Sequence, residues 1–507
     1  MCEFVSDAWT GNALLVHLTD YAWLYPTPKS SAISISQDWV LTHGTMLEST
    51  ILESEEISKF IENMVPGQLT SVPEELAEEL EFSVVRQLKT GYQNHIGKVT
   101  FAWLCPLIMH TFKTFFDTWN FHDCEISKSV QLRRMLFLLI RVNSRHSFKM
   151  SGEQALQCLQ EQILPLSFTR GTPVEIISSP FGNVWFMNSI ARGIVSNVIG
   201  GIIMLDTYVF PNSEGSPVYI TSPDSESRNL IGMVIVSMVW CRNEWVQYTF
   251  AANLAPCLTV LQQSFPTPYT KFAIRHDNQT VLDKSVVIIA CGDKRGTGIL
   301  VDKDTGIFLT CAHVVEQAPQ TQISVIVFRV SKDNPYLNMT AELLFRSPKN
   351  IPYDVAVLKV KPSELDPSLE PIQFSDAPIM PGEPVVAVGF AFMLSTWPTM
   401  TSGVVSKSLD YMLITTCCIQ GGFSGGPIIS QTTGKMLGMV VSNIQTACNN
   451  VRIQRISLSV PVFVLRKPLQ KYLRTDDIHV MQDFVNNDPI VRKIWDMDVG
   501  VNLSAKL

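Results

Sequence analysis

Short apolar runs separated by polar turns mark the second half of the chain. Gly296-Thr297-Gly298-Ile299-Leu300-Val301 and Gly306-Ile307-Phe308-Leu309-Thr310-Cys311-Ala312 are joined by the polar segment Asp302 to Thr305, the pattern of a β-hairpin. Val355-Ala356-Val357-Leu358-Lys359-Val360 predicts a further buried strand. In the first half, Phe101 to Met109 and Met135 to Ile140 read as buried core segments rather than ligand sites. Between them and the N-terminal part lies a different pattern. Residues Glu48 to Glu81 hold ten acidic residues and a single base, Lys59, with irregular helical spacing broken at Pro66-Gly67 and Val72-Pro73. A solvated, partly helical surface insertion is expected there, extending over about 48–165.

The pattern repeats within the chain. Gly193-Ile194-Val195-Ser196 answers Gly403-Val404-Val405-Ser406 at an offset of 210, and Gly215-Ser216-Pro217-Val218 answers Gly425-Gly426-Pro427-Ile428 at the same offset. Gly171-Thr172-Pro173-Val174 matches Gly382-Glu383-Pro384-Val385 at 211, and Ile231-Gly232-Met233-Val234 matches Leu437-Gly438-Met439-Val440 at 206. Four matches in order define an internal duplication.

Length and composition set outer limits. The 507 residues are enough for two or three domains, and 46% hydrophobic content supports full cores. A net charge of −7 without a basic stripe argues against nucleic acid as a partner. No apolar run reaches the length of a membrane span, and Met1 to Asp7 lacks the flank and apolar core of a secretory signal, so a soluble intracellular protein is expected. The eleven cysteines are scattered without C-x-x-C pairs and read as free thiols; no metal site and no cofactor are expected.

Chemistry gathers at Gly421-Gly422-Phe423-Ser424-Gly425-Gly426-Pro427. A serine hydroxyl needs a base beside it and N–H donors for the oxyanion formed on attack. Glycine at 422 lets the N–H groups of Gly422 and Ser424 face one hollow, making them the candidate oxyanion hole. His313, following a strand as T-C-A-H-V-V, is the candidate base, and the other eight histidines lack that setting. Asp354, at the mouth of Val355–Val360, is the expected buried orienting acid; Asp302, Asp304, Asp366, Asp376 and Asp410 sit in turn-like or polar stretches. The order His313, Asp354, Ser424 is that of the chymotrypsin-like arrangement. A tight turn between strands is the plain alternative for the glycine-rich stretch alone.

The first copy lacks these groups. Aligned on Pro217, the nucleophile position holds Glu214, with Ser213 one place early; aligned on Leu41-Thr42, the base position holds Thr45, with His43 two places early. It is expected to be inactive, although a shifted site built from His43 and Ser213 stays open as an alternative.

With Gly382-Glu383-Pro384-Val385, Ser402-Gly403-Val404-Val405-Ser406, Leu437 to Val440 and Ile456 to Pro461, the catalytic set resembles the trypsin-like serine proteases of the HtrA/Deg kind over roughly residues 285–470. The resemblance implies a mainly β fold of tandem trypsin-like double β-barrels. The expected divisions are a degenerate domain over 1–266, a linker over 267–284, an active domain over 285–475 and a tail over 476–507. That tail is too short for the PDZ domain that follows the protease in HtrA relatives. The same likeness places Cys418, six residues before Ser424, in the S1 wall, where a small uncharged thiol implies a small or moderately apolar P1 residue, cysteine among them. Ala505-Lys506-Leu507 resembles the S-K-L peroxisomal signal. With that tail, the tandem arrangement resembles the peroxisomal leader-peptide-processing protease family. What this implies is an endopeptidase of the peroxisomal matrix acting on imported precursors, with the import receptor as a partner and a homo-oligomer left open. An HtrA-like quality-control protease and a non-catalytic peptide-binding module are the alternatives.

Overall fold

The computed structural model describes residues 11–17, 29–88, 91–116, 128–143, 150–163, 167–222, 225–237, 239–241, 244–261, 281–318, 320–328, 336–349, 351–445 and 452–496. The chain divides into two compact units, Met1–His276 and Asp277–Leu507. Residues 262–280, which hold most of the expected linker, and 497–507, which hold Ala505, Lys506 and Leu507, lie outside the described residues.

The first unit holds strands β1 (Gly11–His17), β2 (Lys29–Ser34), β3 (Trp39–His43), β4 (Glu81–Leu88), β5 (Gly91–Leu104) and β6 (Leu136–Val142). They are followed by β7 (Pro173–Ser178), β8 (Ser189–Ile199), β9 (Ile202–Leu205), β10 (Pro217–Ser222), β11 (Ser225–Val236) and β12 (Thr249–Asn253). The second unit begins with β13 (Val286–Cys291), β14 (Lys294–Asp302), β15 (Ile307–Cys311), β16 (Ile323–Phe328), β17 (Tyr336–Arg346) and β18 (Val355–Val360). It continues through β19 (Pro384–Gly389), β20 (Thr399–Leu409), β21 (Met412–Thr415), β22 (Pro427–Ser430), β23 (Met436–Gln445) and β24 (Arg452–Pro461). The hairpin read from 296–312 is β14 and β15, and the apolar run after Asp354 is β18.

Every consecutive set of six strands closes into an antiparallel barrel, and all four barrels have the same order, 1-2-3-6-5-4 within each set. The fold is therefore two trypsin-like double barrels in tandem. Closure removes the unpaired edges a six-stranded sheet would otherwise expose. The strands' sequences suit it: Ile323–Phe328 alternates buried and half-buried side chains with period two, while Val286–Cys291 is buried throughout.

The insertion is partly helical, as expected, but it is not one block. Within 48–165, β4, β5 and β6 are barrel strands; the additions are residues 44–79 between β3 and β4 and residues 105–135 between β5 and β6. Polar residues at the hairpin tip, Tyr92 to Asn94, are exposed and disguise two barrel strands as surface. The helix Glu55–Asn63 begins at Ser54, whose hydroxyl accepts from Ile57 N at 3.3 Å, with Glu55 and Glu56 at the positive end of the helix dipole. Its Ile57 and Ile61 face inward and join Ile51, Met64, Val72, Leu76 and Leu80 in the core of the first barrel. The helix stops before Pro66-Gly67, and the next starts after Pro73.

The helical addition is thus part of the barrel's core. Ile61→Ala is expected to destabilise the first unit by about 2–4 kcal/mol, whereas Glu62→Ala, on the exposed face of the same helix, is expected to stay within about 0.5 kcal/mol. Urea denaturation of the full chain, followed by a probe in the first unit, measures both.

Candidate active site

His313 lies on the single helical turn Ala312–Val315 that follows β15. Asp354 sits immediately before β18, and antiparallel pairing of β15 with β18 brings the two together, Cys311 opposite Val355. The carboxylate holds the histidine twice: Oδ2 lies 2.6 Å from Nδ1, and Oδ1 accepts from the His313 backbone N–H at 3.0 Å. This fixes the tautomer with Nε2 unprotonated and available as a base. Asp354 adopts a left-handed backbone (φ 59°), and its own carbonyl accepts from Ala312 N at 3.0 Å. Contrary to the expectation of a buried acid, its side chain is 27% exposed. The reason is its place on a turn at the barrel's rim rather than inside the strand.

Ser424 occupies the turn between β21 and β22. The N–H of Thr297 on β14 donates to the Ser424 carbonyl at 2.9 Å, and the Thr297 hydroxyl donates to the Gly422 carbonyl at 2.6 Å while accepting from Phe390 N at 3.2 Å. One threonine of the first barrel therefore grips both ends of the serine's turn in the second. Gly422 has φ +105°, and a Cβ there would lie 2.0 Å from the Phe390 carbonyl, so no other residue fits. Among the described residues, the N–H groups of Gly422 and Ser424 donate to no carbonyl or side chain, which leaves them available to an oxyanion. Gly296, beside Thr297, separates the two turns: a Cβ at that position would meet Val314 at 2.6 Å and the Ser424 carbonyl at 3.0 Å.

The serine hydroxyl donates to the Val441 carbonyl at 3.2 Å. Among the described residues it makes no hydrogen bond to His313, so the His313–Asp354 pair is joined while the Ser424 hydroxyl is turned aside. Cys311, two residues before His313, is buried and its thiol donates to the Val440 carbonyl at 3.2 Å. Burial, with the charge of Asp354 added, pushes that thiol well above its usual range. Cys311, His313 and Asp354 place a thiol, an imidazole and a carboxylate within 4.8 Å of one another, but those donor atoms are already engaged in these bonds.

Cys418 is buried in a cluster the sequence reading did not anticipate. Its Sγ lies 3.7 Å from Gln454 Oε1 and 3.9 Å from Gln420 Nε2, and the two amides meet at 3.2 Å. Gln454 comes from β24, distant in sequence, and only barrel closure brings it to Cys418. Thr297 and Val441 were also missed, since nothing in their local sequence distinguishes them from other strand residues.

The first unit repeats this frame with other residues at the candidate positions. Ser31 N donates to the Glu214 carbonyl at 3.0 Å as Thr297 N does to Ser424, and Thr42 Oγ1 donates to Ser31 O at 3.0 Å as Thr310 Oγ1 does to Thr297 O at 2.8 Å. Gly215 N bonds the Val234 carbonyl as Gly425 N bonds that of Val440. The equivalences put Glu214 at the position of Ser424 and Thr45 at that of His313. The β3–β6 register, with Thr42 opposite Leu138, puts Leu136 at that of Asp354. Asn212 stands for Gly422 and keeps a left-handed backbone (φ 66°). Glu214 accepts from Ser237 Oγ at 2.6 Å. His43 is fully buried, with Nε2 donating to the Arg134 carbonyl at 2.9 Å and Nδ1 accepting from Thr45 Oγ1 at 3.1 Å. Both its nitrogens are engaged and it is no base for Ser213.

This architecture is that of the trypsin-like peptidases, and residues 296–439 match the family described as trypsin-like peptidase domain. Among curated proteins the chain is similar to the peroxisomal leader peptide-processing protease of Mus musculus, 28% identical over 361 residues that cover 66% of this chain and 61% of the relative. It is also similar to that of Homo sapiens, 27% identical over 351 residues, 64% of this chain and 60% of the relative. The chain thus spans about six tenths of the length of these relatives. Among solved structures it is similar to the crystal structure of the serine endoprotease from Yersinia pestis, at 24% identity over 38% of this chain and 64% of that one, with a TM-score of 0.31.

Burial, reinforced by the nearby charges of Arg133 and Arg134, lowers the pKa of His43 to about 3 from an ordinary 6.5. The unfolded chain therefore binds a proton below pH 6.5 that the folded chain refuses until about pH 3. His43 is expected to cost the first unit up to about 1.4 kcal/mol per pH unit across that window as pH falls, and nothing above it. The difference in unfolding free energy between wild type and His43→Gln, measured from pH 7 to pH 4, should show this slope.

Proposed function

We propose that the chain is a serine endopeptidase whose chemistry resides in the second unit. The observation that carries this reading is the doubly held His313–Asp354 pair beside a serine turn pinned by Thr297, set against a first unit whose same frame holds Thr45, Leu136 and Glu214. In this reading the Ser424 hydroxyl swings from the Val441 carbonyl to His313 Nε2, gives up its proton and attacks the scissile carbonyl. The N–H groups of Gly422 and Ser424 receive the oxyanion. The imidazolium, stabilised by Asp354, then protonates the leaving amine, and water hydrolyses the acyl-enzyme by the reverse roles. The first unit, lacking nucleophile, base and acid, contributes stability or substrate positioning.

The curated relatives are named for processing peroxisomal leader peptides, and we assign this chain the same substrate class, imported precursors bearing a removable leader, in the same organelle. The P1 side chain enters beside Cys418, where a thiol and two amides offer no carboxylate to a basic residue. A small or moderately apolar P1 follows.

Ser424→Ala is expected to lower cleavage of a leader-bearing precursor by several orders of magnitude, His313→Ala by a similar factor, and the double variant little further, because triad members act as a unit. Additive losses would refute the assignment. Ser213→Ala should leave turnover within about twofold. Labelling by a fluorophosphonate separates an active enzyme from a peptide-binding module, and rapid digestion of casein with no preference for the precursor would favour general degradation over processing. In a peptide library, efficient cleavage after Arg or Lys would contradict the role given to Cys418.

A further inference from the structure

The double barrel of the second unit ends with β24 and the helix Val462–Thr475, yet the residues after it return to the active site. Val480, Met481 and Phe484 are buried, the Phe484 ring 5.6 Å from Phe345 on β17. Asn486 then takes hold of the two residues before Asp354: its N–H donates to the Pro352 carbonyl at 3.2 Å and its Nδ2 to the Tyr353 hydroxyl at 2.8 Å. The helix Pro489–Asp496 follows and sets Trp495 edge-on against Tyr353, ring centres 5.8 Å apart, with Nε1 donating to the Tyr411 carbonyl at 3.0 Å. The indole is thereby held both through its Nε1 and by the Tyr353 ring.

What this encloses is a cavity of about 650 Å³ that reaches His313 and Asp354 on one side and Val441 and Ser442 on the other, within the roughly 300–1,000 Å³ typical of ligand pockets. Ile351, Pro352, Tyr353 and Trp495 give it an apolar wall. The charged residues at its rim are engaged with the protein: Lys349 pairs with Glu316 at 2.8 Å, and Arg346 donates to the Glu316 carbonyl at 2.8 Å. Ser347 and Ser442 add hydroxyls to the lining, so the apolar contact on offer is confined to the wall that carries Trp495. Beside it, β23 beyond Val440 pairs with β24 on one edge, and among the described residues no strand covers the other. An extended peptide can add to that edge as a further strand, which lays its reacting carbonyl beside Ser424 and one neighbouring side chain over His313 into the cavity. Cys418 does not line this cavity, so the side chain it receives is not P1.

We propose that Trp495, supplied by the segment after the barrels, is a specificity-determining residue that favours a bulky apolar side chain flanking P1 in this cavity. This rests on the endopeptidase reading. Asn486 is the corresponding positioning residue, acting through Tyr353 on the loop that carries Asp354.

The test is cleavage of a positional peptide library by the full chain as wild type, Trp495→Ala and Trp495→Phe. In Trp495→Ala, the preference for Leu, Ile or Phe over Ala at the position next to P1 is expected to fall about tenfold, the scale of one apolar contact. The change should appear chiefly in KM, with the P1 profile unaltered. Trp495→Phe should retain the preference. A Trp495→Ala enzyme with the wild-type profile overturns the proposal. So does a loss equal for all peptides in both variants, which would mark Trp495 as structural. A wild-type chain that neither reacts with a fluorophosphonate nor cleaves any peptide overturns the endopeptidase reading as well, whereas a labelled, active wild type with an unchanged Trp495→Ala profile overturns this inference alone.

Discussion

The geometry of the second unit depends on Thr297. Its N–H holds the carbonyl of Ser424 and its hydroxyl holds that of Gly422, so the strand that leads toward the histidine's hairpin also sets the position of the serine's turn. Two barrels that close independently have no intrinsic reason to present His313 from one and Ser424 from the other at a fixed separation. Hydrogen bonds from one residue across their junction impose it, one from the Thr297 N–H and one from its short hydroxyl side chain. The missing Cβ at Gly296, between Val314 and the Ser424 carbonyl, lets the turns approach that closely.

The first unit separates scaffold from chemistry. Ser31, Thr42, Gly215 and Val234 reproduce the hydrogen bonds of Thr297, Thr310, Gly425 and Val440, and Asn212 keeps the left-handed turn that Gly422 adopts. These bonds belong to the folding of any such double barrel, since an unpaired carbonyl at a buried junction is costly whether or not the site works. The side chains of Ser424, His313 and Asp354 carry no such duty. The same frame therefore accommodates glutamate, threonine and leucine at these positions in the first unit. The same freedom let the loops lengthen: helices over 44–79 packed onto the barrel and exchanged exposed loop for buried apolar surface.

The segment after the barrels holds the turn that carries Asp354. Asn486 and Trp495 both act on Tyr353, one residue before the carboxylate that orients His313. One wall of the cavity beside His313 and the support of the Asp354 turn are therefore one set of contacts. Asp354 sits in a left-handed conformation on a partly exposed turn, and such a residue keeps its place only when its neighbours are held.

Local sequence determined much of this protein. Short apolar runs and the polar turns between them marked the strands of the second unit, glycines at 422 and 425 marked the serine's turn, and nearly constant offsets between repeated motifs revealed the duplication, because each of these features is encoded within a few residues. The acidic stretch from Glu48 was read as solvated surface although Ile57 and Ile61 enter the core, and β4 and β5 were hidden by a polar hairpin tip. What the tertiary structure alone decided are meetings between residues far apart in the chain: Thr297 with Gly422, Cys418 with Gln454, Leu136 at the lost acid position, and Trp495 beside Tyr353. Barrel closure and strand register select those pairs, and no single segment carries their signal, since each partner looks like an ordinary strand or helix residue until the sheet closes around it.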